Sequence, residues 1–594
     1  MRLRTSFLFS LGALGAVALA GIVPTTACYP SAGEGVDPPA FSFYYPVGFA
    51  TSRGGNVLYV VNSDFDLQWN GGTIQSLDLH AIRRDAVACI ADPADPNLPL
   101  AQAPPPAGTC PAGPPVSTTR YDGGVEPGWA CAPPTNASYY MRDSVAIGAF
   151  ATDLQLSSLA NPNTGLYRLF TPVRGDASLT FVDVTNDDPT VAPLRTDTPE
   201  TYAPFDLNCG ERDAHSRCNS NYHIGNNAYQ PGDSRQITMP GEPFGMAQSD
   251  DGNAIVITHQ SETQTSLFST FTPLITTPPP LVPALQFVLD GVPTGGIGIA
   301  PIPHDYQAYP DCFYDPNITT DACKAAYPRP AFLQTSRASA QVALIRYYDD
   351  QGDNATSVYR PFIQNEADYA LNVLAGTTDF ARGVAIDPSP RIRCKALVQQ
   401  SVPSWDPTYE AKITACAQLP ARVFVASRGP ASLLVGQIGQ PSGIDGSYNA
   451  DLASFTNAIP LPNGPSAVHV APIIDQNGNY ALRVFVVCFD SSQIVVYDPD
   501  GDPQGVALQY IPVGLGPFAL TFDPFDPTQA ALGAHVDIDP RDQDIALKKY
   551  RFAYVGSFSQ SYMQLIDLDN STADKSTWST VVYTVGVPTP PKGS

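Results

Sequence analysis

Between Gly464 and Gly514 the chain reads GPSAVHVAP, then ALRVFVVCFDSSQIVVYDPD, then VALQYIPVG. Four short apolar runs lie in this stretch, Ala467–Val470, Arg483–Phe489, Gln493–Asp498 and Val506–Val513, each bounded by Gly, Pro, Asp or Ser. Alternating runs of this length between turn formers predict a four-stranded antiparallel meander. The residues that follow repeat the order: GPFALTFDP from Gly516, YRFAYVGSFSQSYMQLIDLD from Tyr550 and STVVYTVG from Ser579. A single meander cannot bury both faces, but copies stacked radially can. The repeat therefore predicts an all-β ring of blades, a β-propeller.

Working outward, the same order recurs towards the N-terminus. The first unit opens at Pro46-Val47-Gly48-Phe49-Ala50 and continues through VLYVVNSD and TIQSLDL. VAIGAF and GLYRLFTPVRGDASLTFVDV form the second, PFGMAQSDDGNAIVITHQSETQTSLFST and ALQFVLDG the third. GGIGIAP with AFLQTSRASAQVALIRYYDD makes the fourth, and ARGVAIDP with ARVFVASRGPASLLVGQIG the fifth. With the two C-terminal units that gives seven blades in one domain over 41–587, interrupted by insertions at about 81–143, 185–240, 302–330, 389–420 and 526–548. KALVQQ and EAKITACAQ inside the fourth insertion predict short helices. Ring closure is predicted to bring Val581–Val585 beside an N-terminal strand, Phe41–Tyr45.

Composition agrees with many short strands joined by many turns: of 594 residues 60 are Pro and 46 Gly, and only 15% are charged. The 43% apolar content is enough for a large core. A net charge of −24 with only 32 Lys and Arg argues against nucleic acid and against an anionic lipid surface as partner. At the N-terminus Arg2 and Arg4 precede an apolar run from Phe7 to Val23, the order of an export signal over 1–27. The run is shorter than the roughly 20 residues that span a bilayer. Thr25-Thr26-Ala27-Cys28 resembles a lipobox, which makes Cys28 the expected acylated first residue, followed by a Pro/Gly-rich tether over 28–40. Tyr29 after it implies outer-membrane retention in a Gram-negative envelope, periplasmic or at the cell surface. Membrane association then comes through the lipid anchor only.

Removing Cys28 from eleven cysteines leaves ten. Cys209/Cys218, Cys312/Cys323 and Cys394/Cys416 sit in close pairs within polar insertions and are predicted to be bridged in an oxidising compartment. Cys89, Cys110 and Cys131 share one insertion and their pairing stays open, while Cys488 lies inside a strand as a buried thiol. None has paired CxxC spacing, so neither a zinc site nor any cofactor is expected.

Proline-glycine openings, an alternating second strand and a third strand ending in Asp, as in VVYDPD and QLIDLD, resemble the YVTN/YncE-type seven-bladed β-propellers of bacteria. The likeness runs over roughly 41–587 and is similar to predicted lipoproteins built on that fold. It implies the fold and leaves the function open.

With the strands of a blade lettered A to D from the axis outward, the B–C turns emerge at one mouth of the channel. In order they read NSDFD, VRGDASL, THQSETQ, TSRASAQ, SRGPASL, CFDSSQ and GSFSQS. Arg174, Arg337 and Arg428 recur at equivalent places, with Asp64, Asp176, His259, Asp490 and Gln560 nearby. Such a trio, with His259 and Asp490, can grip a carboxylate, phosphate or acidic sugar by bidentate hydrogen bonds. Alternatively, the arginines tie blade to blade through Asp176 or Asp490. Arg174-Gly175-Asp176 reads as turn chemistry, and the carboxylates of Asp498-Pro499-Asp500-Gly501-Asp502 as a solvated C–D turn without the distal Glu of an EF-hand. His469 on an inner strand has two readings, facing the channel or a hydrogen-bonded core residue, of which the second is favoured.

No HExxH, G-x-S-x-G or phosphate-loop motif occurs. Two function classes stand: a non-catalytic envelope module binding a protein, peptide or glycan, and a metal-dependent hydrolase of the propeller-lactonase kind centred on the channel. The second needs carboxylates and imidazoles converging on inner strands. FALTF, VAI, IGIA and AVHV predict a mostly apolar lining instead, which favours binding.

Overall fold

The computed structural model describes residues 35–90, 135–187, 205–273, 281–305, 307, 329–349, 360–371, 379–439, 451–475, 480–523, 552–568 and 578–587. Seven antiparallel sheets follow one another along the chain, each with its strands hydrogen-bonded in sequence order, as in a seven-bladed propeller. The stretch that decided the fold is blade 6: Pro465–Ile474, Tyr480–Cys488, Gln493–Tyr497 and Gln509–Pro512. Its Val468↔Val486, Val470↔Val484 and Val487↔Ile494 pairs put β-branched side chains opposite one another, where they pack well on a pleated surface.

Strands B and C of several blades are buried on both faces, for example Val57–Asn62 in blade 1 and Phe552–Ser557 and Tyr562–Asp567 in blade 7. This explains why they read as near-continuous apolar runs: each blade has a neighbour on either side. The core accordingly lies between blades. Phe424, Ala426, Leu433 and Ile459 of blade 5 pack with Val468, Val484, Val486 and Val495 of blade 6.

Two expectations about organisation are corrected. VAIGAF does not open blade 2, because Val145–Ile147 ends the outer strand of blade 1, Met141–Ile147, which pairs with Gly72–Asp78. The long insertion lies between strands C and D of blade 1 and delays the outer strand. The inner strand of blade 2 is only Gln155–Leu156. Nor is Phe41–Tyr45 a strand. Phe43 does pack with Val582, Tyr583 and Val585, but the backbone partner at the seam is Thr135. Its N–H donates to the Thr584 carbonyl at 3.0 Å, and its own carbonyl accepts from Gly586 N at 2.8 Å.

Ser389–Ser401 and Tyr409–Ala417 are helices, joined by a Cys394–Cys416 bridge with Cα atoms 5.3 Å apart. Cys209 and Cys218 are also bridged, at a Cα separation of 5.1 Å, and Cys488 is a buried free thiol that burial pushes up to about 12. Cys28, Cys110, Cys131, Cys312 and Cys323 lie outside the described residues. In the Asp498–Asp502 turn, Asp500 accepts from Arg393 at 2.5 Å and Arg422 at 2.7 Å, and Asp498 pairs with Arg483 at 2.9 Å. Two of its carboxylates thus serve ion pairs, two of them reaching blade 5, rather than only facing solvent.

Candidate functional site at the channel mouth

The site is built by a backbone device at the start of strand A. In six blades the A–B register shifts there, at Pro46/Gly48, Pro243/Met246, Gly296/Ile299, Ala381/Val384, Pro465/Ala467 and Pro517/Leu520. Such a bulge bends a strand and re-aims its side chains. At or beside it sits Gly48, Gly245, Gly298, Gly383, Ala467 or Ala519. The reason is close approach of the next blade: a Cβ on Gly245 would lie 2.0 Å from the Ile297 carbonyl oxygen, and one on Gly298 2.1 Å from that of Arg382. Thr258 Oγ1 donates to the Ile297 carbonyl at 3.3 Å, and Thr335 Oγ1 donates to the Arg382 carbonyl, stitching blades 3, 4 and 5 together.

This packing fixes the backbone of Arg382, a residue the sequence reading missed. It occupies the bulge place filled by Phe244, Ile297, Ser466 and Phe518 in other blades. Arg382 is half-buried, makes no ion pair among the described residues, and its Nε is buried without a hydrogen-bond partner. Burial first, then repulsion from Arg428 and Arg337, brings its guanidinium down to about 10, with Asp490 acting the other way.

Arg174, Arg337 and Arg428 all sit at the B–C end, and each has a different electrostatic setting. Arg174 donates from Nη2 to Glu242 at 2.9 Å, and not to Asp176, whose carboxylate accepts from Ser178 Oγ. Arg428 Nη2 lies 3.3 Å from Asp490 Oδ1, a tie from blade 5 to blade 6. Arg337 acts electrostatically on both Glu242, whose carboxyl it helps to hold down, and Arg382, whose charge it opposes. The Nε atoms of Arg174 and Arg428 are buried without hydrogen-bond partners. The blade-tying reading therefore describes one end of two side chains, and each keeps an unmet donor.

His259 is a correction. It is fully buried, its Nδ1 donating to the Gly241 carbonyl at 2.8 Å and its Nε2 2.8 Å from Ser266 Oγ, so both ring nitrogens are occupied inside blade 3. Burial brings it down to about 4. Asp64 is consumed similarly, accepting from Trp69 N and Gly71 N at 3.2 Å each, and Gln560 accepts from Tyr562 OH at 3.0 Å. Of the two readings of His469 the channel-facing one holds: it lines the channel, and burial holds it near 4 with Phe522 as a ring neighbour.

Together these elements enclose a cavity of about 600 Å³ on the channel axis. Arg174, Arg382 and Arg428 line one part of it, and Phe65, Phe489, Phe518 and Phe558 another. Phe558 is the hub of the aromatic part, with ring centroids of Tyr45 at 4.9 Å, Phe65 at 5.2 Å, Phe518 at 5.7 Å and Phe489 at 6.1 Å. A signal for it exists in the sequence. The residue that follows the end of strand B is Arg174, Gln260 and Arg337 in blades 2 to 4, and Phe489 and Phe558 in blades 6 and 7. Asp153 also lines the cavity; burial lifts its carboxyl to about 6 against the N–H groups of Leu154 and Met246. Among the described residues no three His, Cys, Asp or Glu side chains cluster as metal ligands.

Fold and site define a seven-bladed β-propeller with a half-cationic, half-aromatic channel mouth. No family model and no curated protein matches the chain. Among solved structures it is similar to the periplasmic gluconolactonase PpgL of Pseudomonas aeruginosa, at 13% identity over 79% of this chain and 86% of that one with a TM-score of 0.36. A putative 6-phosphogluconolactonase from Bacteroides fragilis aligns at 10% identity over 78% and 82%, TM-score 0.35. Kuenenia stuttgartiensis hydrazine synthase aligns at 9% over 88% and 96%, TM-score 0.39. Likeness at this level carries no inference about activity.

Proposed function

We propose that this propeller is a non-catalytic binding module of the Gram-negative cell envelope, related to the YVTN/YncE type. In this reading it is exported, held at the outer membrane by an acyl chain on Cys28, and takes an anionic group of a protein, peptide or glycan at the channel mouth. One observation carries the binding part: among the described residues Arg382 is held half-buried beside two further guanidiniums with no carboxylate in ion-pair contact, Asp490 acting on it only from a distance, and its Nε has no hydrogen-bond partner. Burying unpaired positive charge is costly, and an anion that supplies bidentate hydrogen bonds relieves that cost.

The test replaces Arg337, Arg382 and Arg428 by Gln and probes arrays of envelope glycans and peptides. A charge-assisted hydrogen bond contributes roughly 1.5–3 kcal/mol, so each lost arginine weakens a true ligand about tenfold to a hundredfold. Unchanged binding with lowered thermal stability would make the arginines ties between blades and end this reading. Mass spectrometry of the mature N-terminus checks the anchor: a diacylglyceryl-modified Cys28 is expected, and an unmodified terminus excludes it.

A further inference from the structure

We infer that the anion taken at the mouth is a carboxylate carried on an aromatic body, an inference that rests on the anion-binding reading above and names its ligand class. The cavity is divided by chemistry. Blades 2 and 5 supply Arg174, Arg382 and Arg428, whereas blades 1, 6 and 7 supply Phe65, Phe489, Phe518 and Phe558; Phe244 of blade 3 is the one ring among the lining residues of blades 2 to 5. Phe65 is 51% exposed although its ring sits 5.2 Å from Phe558, so the aromatic cluster presents an open face instead of closing on itself. Arrangement of these rings is tilted or edge-on, from 35° for Phe518 and Phe558 to 71° for Phe65 and Phe558. That leaves ring edges and faces for another aromatic group, the offset and edge-to-face packing such rings prefer.

The wall favours an aryl body over a sugar. A uronic acid presents several hydroxyls that each need a polar partner, since a buried unpaired hydroxyl costs about 1–3 kcal/mol. Phenylalanines offer none, and the polar side chains that blades 6 and 7 add to the lining are Ser466, His469 and Thr521, of which Ser466 Oγ already donates to the Val487 carbonyl at 3.1 Å. The volume, about 600 Å³, is in the range of sites for small molecules. The orientation also follows. Asp153 on blade 2 repels a second carboxylate from that side, so the anionic group belongs against Arg382 and Arg428, and the ring reaches across to Phe489, Phe518 and Phe558.

Two sources share this chemistry, a free aryl acid and the C-terminal Phe of a peptide. Calorimetric titration of the full chain with 3-phenylpropionate, with an acetylated tripeptide ending in Phe carboxylate, with the same peptide as its amide, with acetate and with trigalacturonate separates them. The expected result is binding of 3-phenylpropionate or the acid peptide, at least tenfold tighter than acetate and the amide. If the free acid matches the peptide, the source is a small molecule; if the peptide is tighter, it is a chain terminus. Arg382→Gln is expected to weaken that binding about tenfold to a hundredfold, and Phe489→Ala about three- to tenfold, with the circular dichroism spectrum of both variants unchanged. If Phe489→Ala unfolds, Phe65→Ala, on the exposed ring, gives the same readout. Trigalacturonate binding as tightly as the aryl acids, with the Phe variants unaffected, overturns the aromatic inference and leaves the anionic mouth standing. No binding by any carboxylate, acetate and trigalacturonate included, overturns both.

Discussion

His304 is held between two carboxylates in a place no solvent reaches: Nε2 is 3.0 Å from Asp451 Oδ1, and Nδ1 is 3.4 Å from Asp250 Oδ2, an ion-pair distance without good hydrogen-bond alignment. Arg346 closes the cluster, 2.9 Å from Asp451 and 2.7 Å from Glu366. Burial opposes the proton on His304, but Asp250 and Asp451 outweigh it and raise the imidazole to about 9. Because the folded state binds this proton more tightly than the unfolded chain, the stabilisation is fully present below about pH 6.5 and is lost as pH rises through about 9. A rise of this size corresponds to about 3 kcal/mol. Denaturant unfolding at pH 6 and at pH 9.5 should therefore show wild type losing about 3 kcal/mol more than His304→Gln across that interval. Parallel losses in the two proteins would mean the imidazole is not charged in the fold. At the acid end the sign reverses: His304 and Arg346, working against burial, hold the Asp451 carboxyl below its ordinary range, so that contribution is lost as pH falls. None of this was visible in the sequence, where His304, Arg346 and Asp451 are spread over three stretches with no shared motif.

At the level of elements, the propeller was legible wherever two signals coincided, a Pro or Gly in the first residues of strand A or at its bulge and short apolar runs in strands B and C bounded by turn formers. Blades 3 to 7 carry both. Blade 2 carries neither at its inner edge: Gln155–Leu156 is two residues long, and the alternating run just before it belongs to the outer strand of blade 1. Arg382 carries no signal in the pattern of B–C turns, because it enters the mouth from a bulge in an inner strand. The bulge glycines make the device testable. In Gly298→Ala the new methyl would meet the Arg382 carbonyl oxygen at 2.1 Å, an oxygen already held by Thr335. One blade must then move away from the other. Overpacking of this kind costs about 1–3 kcal/mol, and a loss in that range is expected by chemical denaturation. Gly241→Ala, in an open loop with nothing near its Cβ position, serves as the control and should stay within about 0.5 kcal/mol. If both variants match wild type, the close approach of neighbouring inner strands is not what holds the mouth.

On the scale of the whole molecule, a ring has to close, and among the described residues no N-terminal strand completes the last blade. Blade 7 ends on its own outer strand, Val581–Val585, and besides the packing of Pro46–Thr51 on Pro517–Phe522, the long insertion in blade 1 ties across the seam. Thr135 hydrogen-bonds along Val581–Val585 through Thr584 and Gly586, and Tyr140 OH lies 2.6 Å from Tyr583 OH while donating to Asp85 at 2.7 Å. Arg83, on the helix Leu79–Ile90 that begins the insertion, has its Nε 3.3 Å from Asp523 Oδ1 with both side chains buried. What reads in the sequence as a decorating loop is thus a clasp from the first blade to the last. Removing the cation alone leaves the Asp523 carboxylate in the core without that charge, still accepting from Tyr554 OH and Phe552 N. Breaking a buried pair from one side costs about 3–5 kcal/mol, so Arg83→Met should destabilise by that much. Adding Asp523→Asn should recover a large part of it, since the stranded charge is gone. Hydrogen exchange distinguishes a clasp from a general core defect: faster exchange is expected first in blades 1 and 7, with blades 3 to 5 protected as in wild type. Uniform acceleration around the ring, or a single variant within about 1 kcal/mol of wild type, would show that packing of the blade faces closes the propeller without this pair.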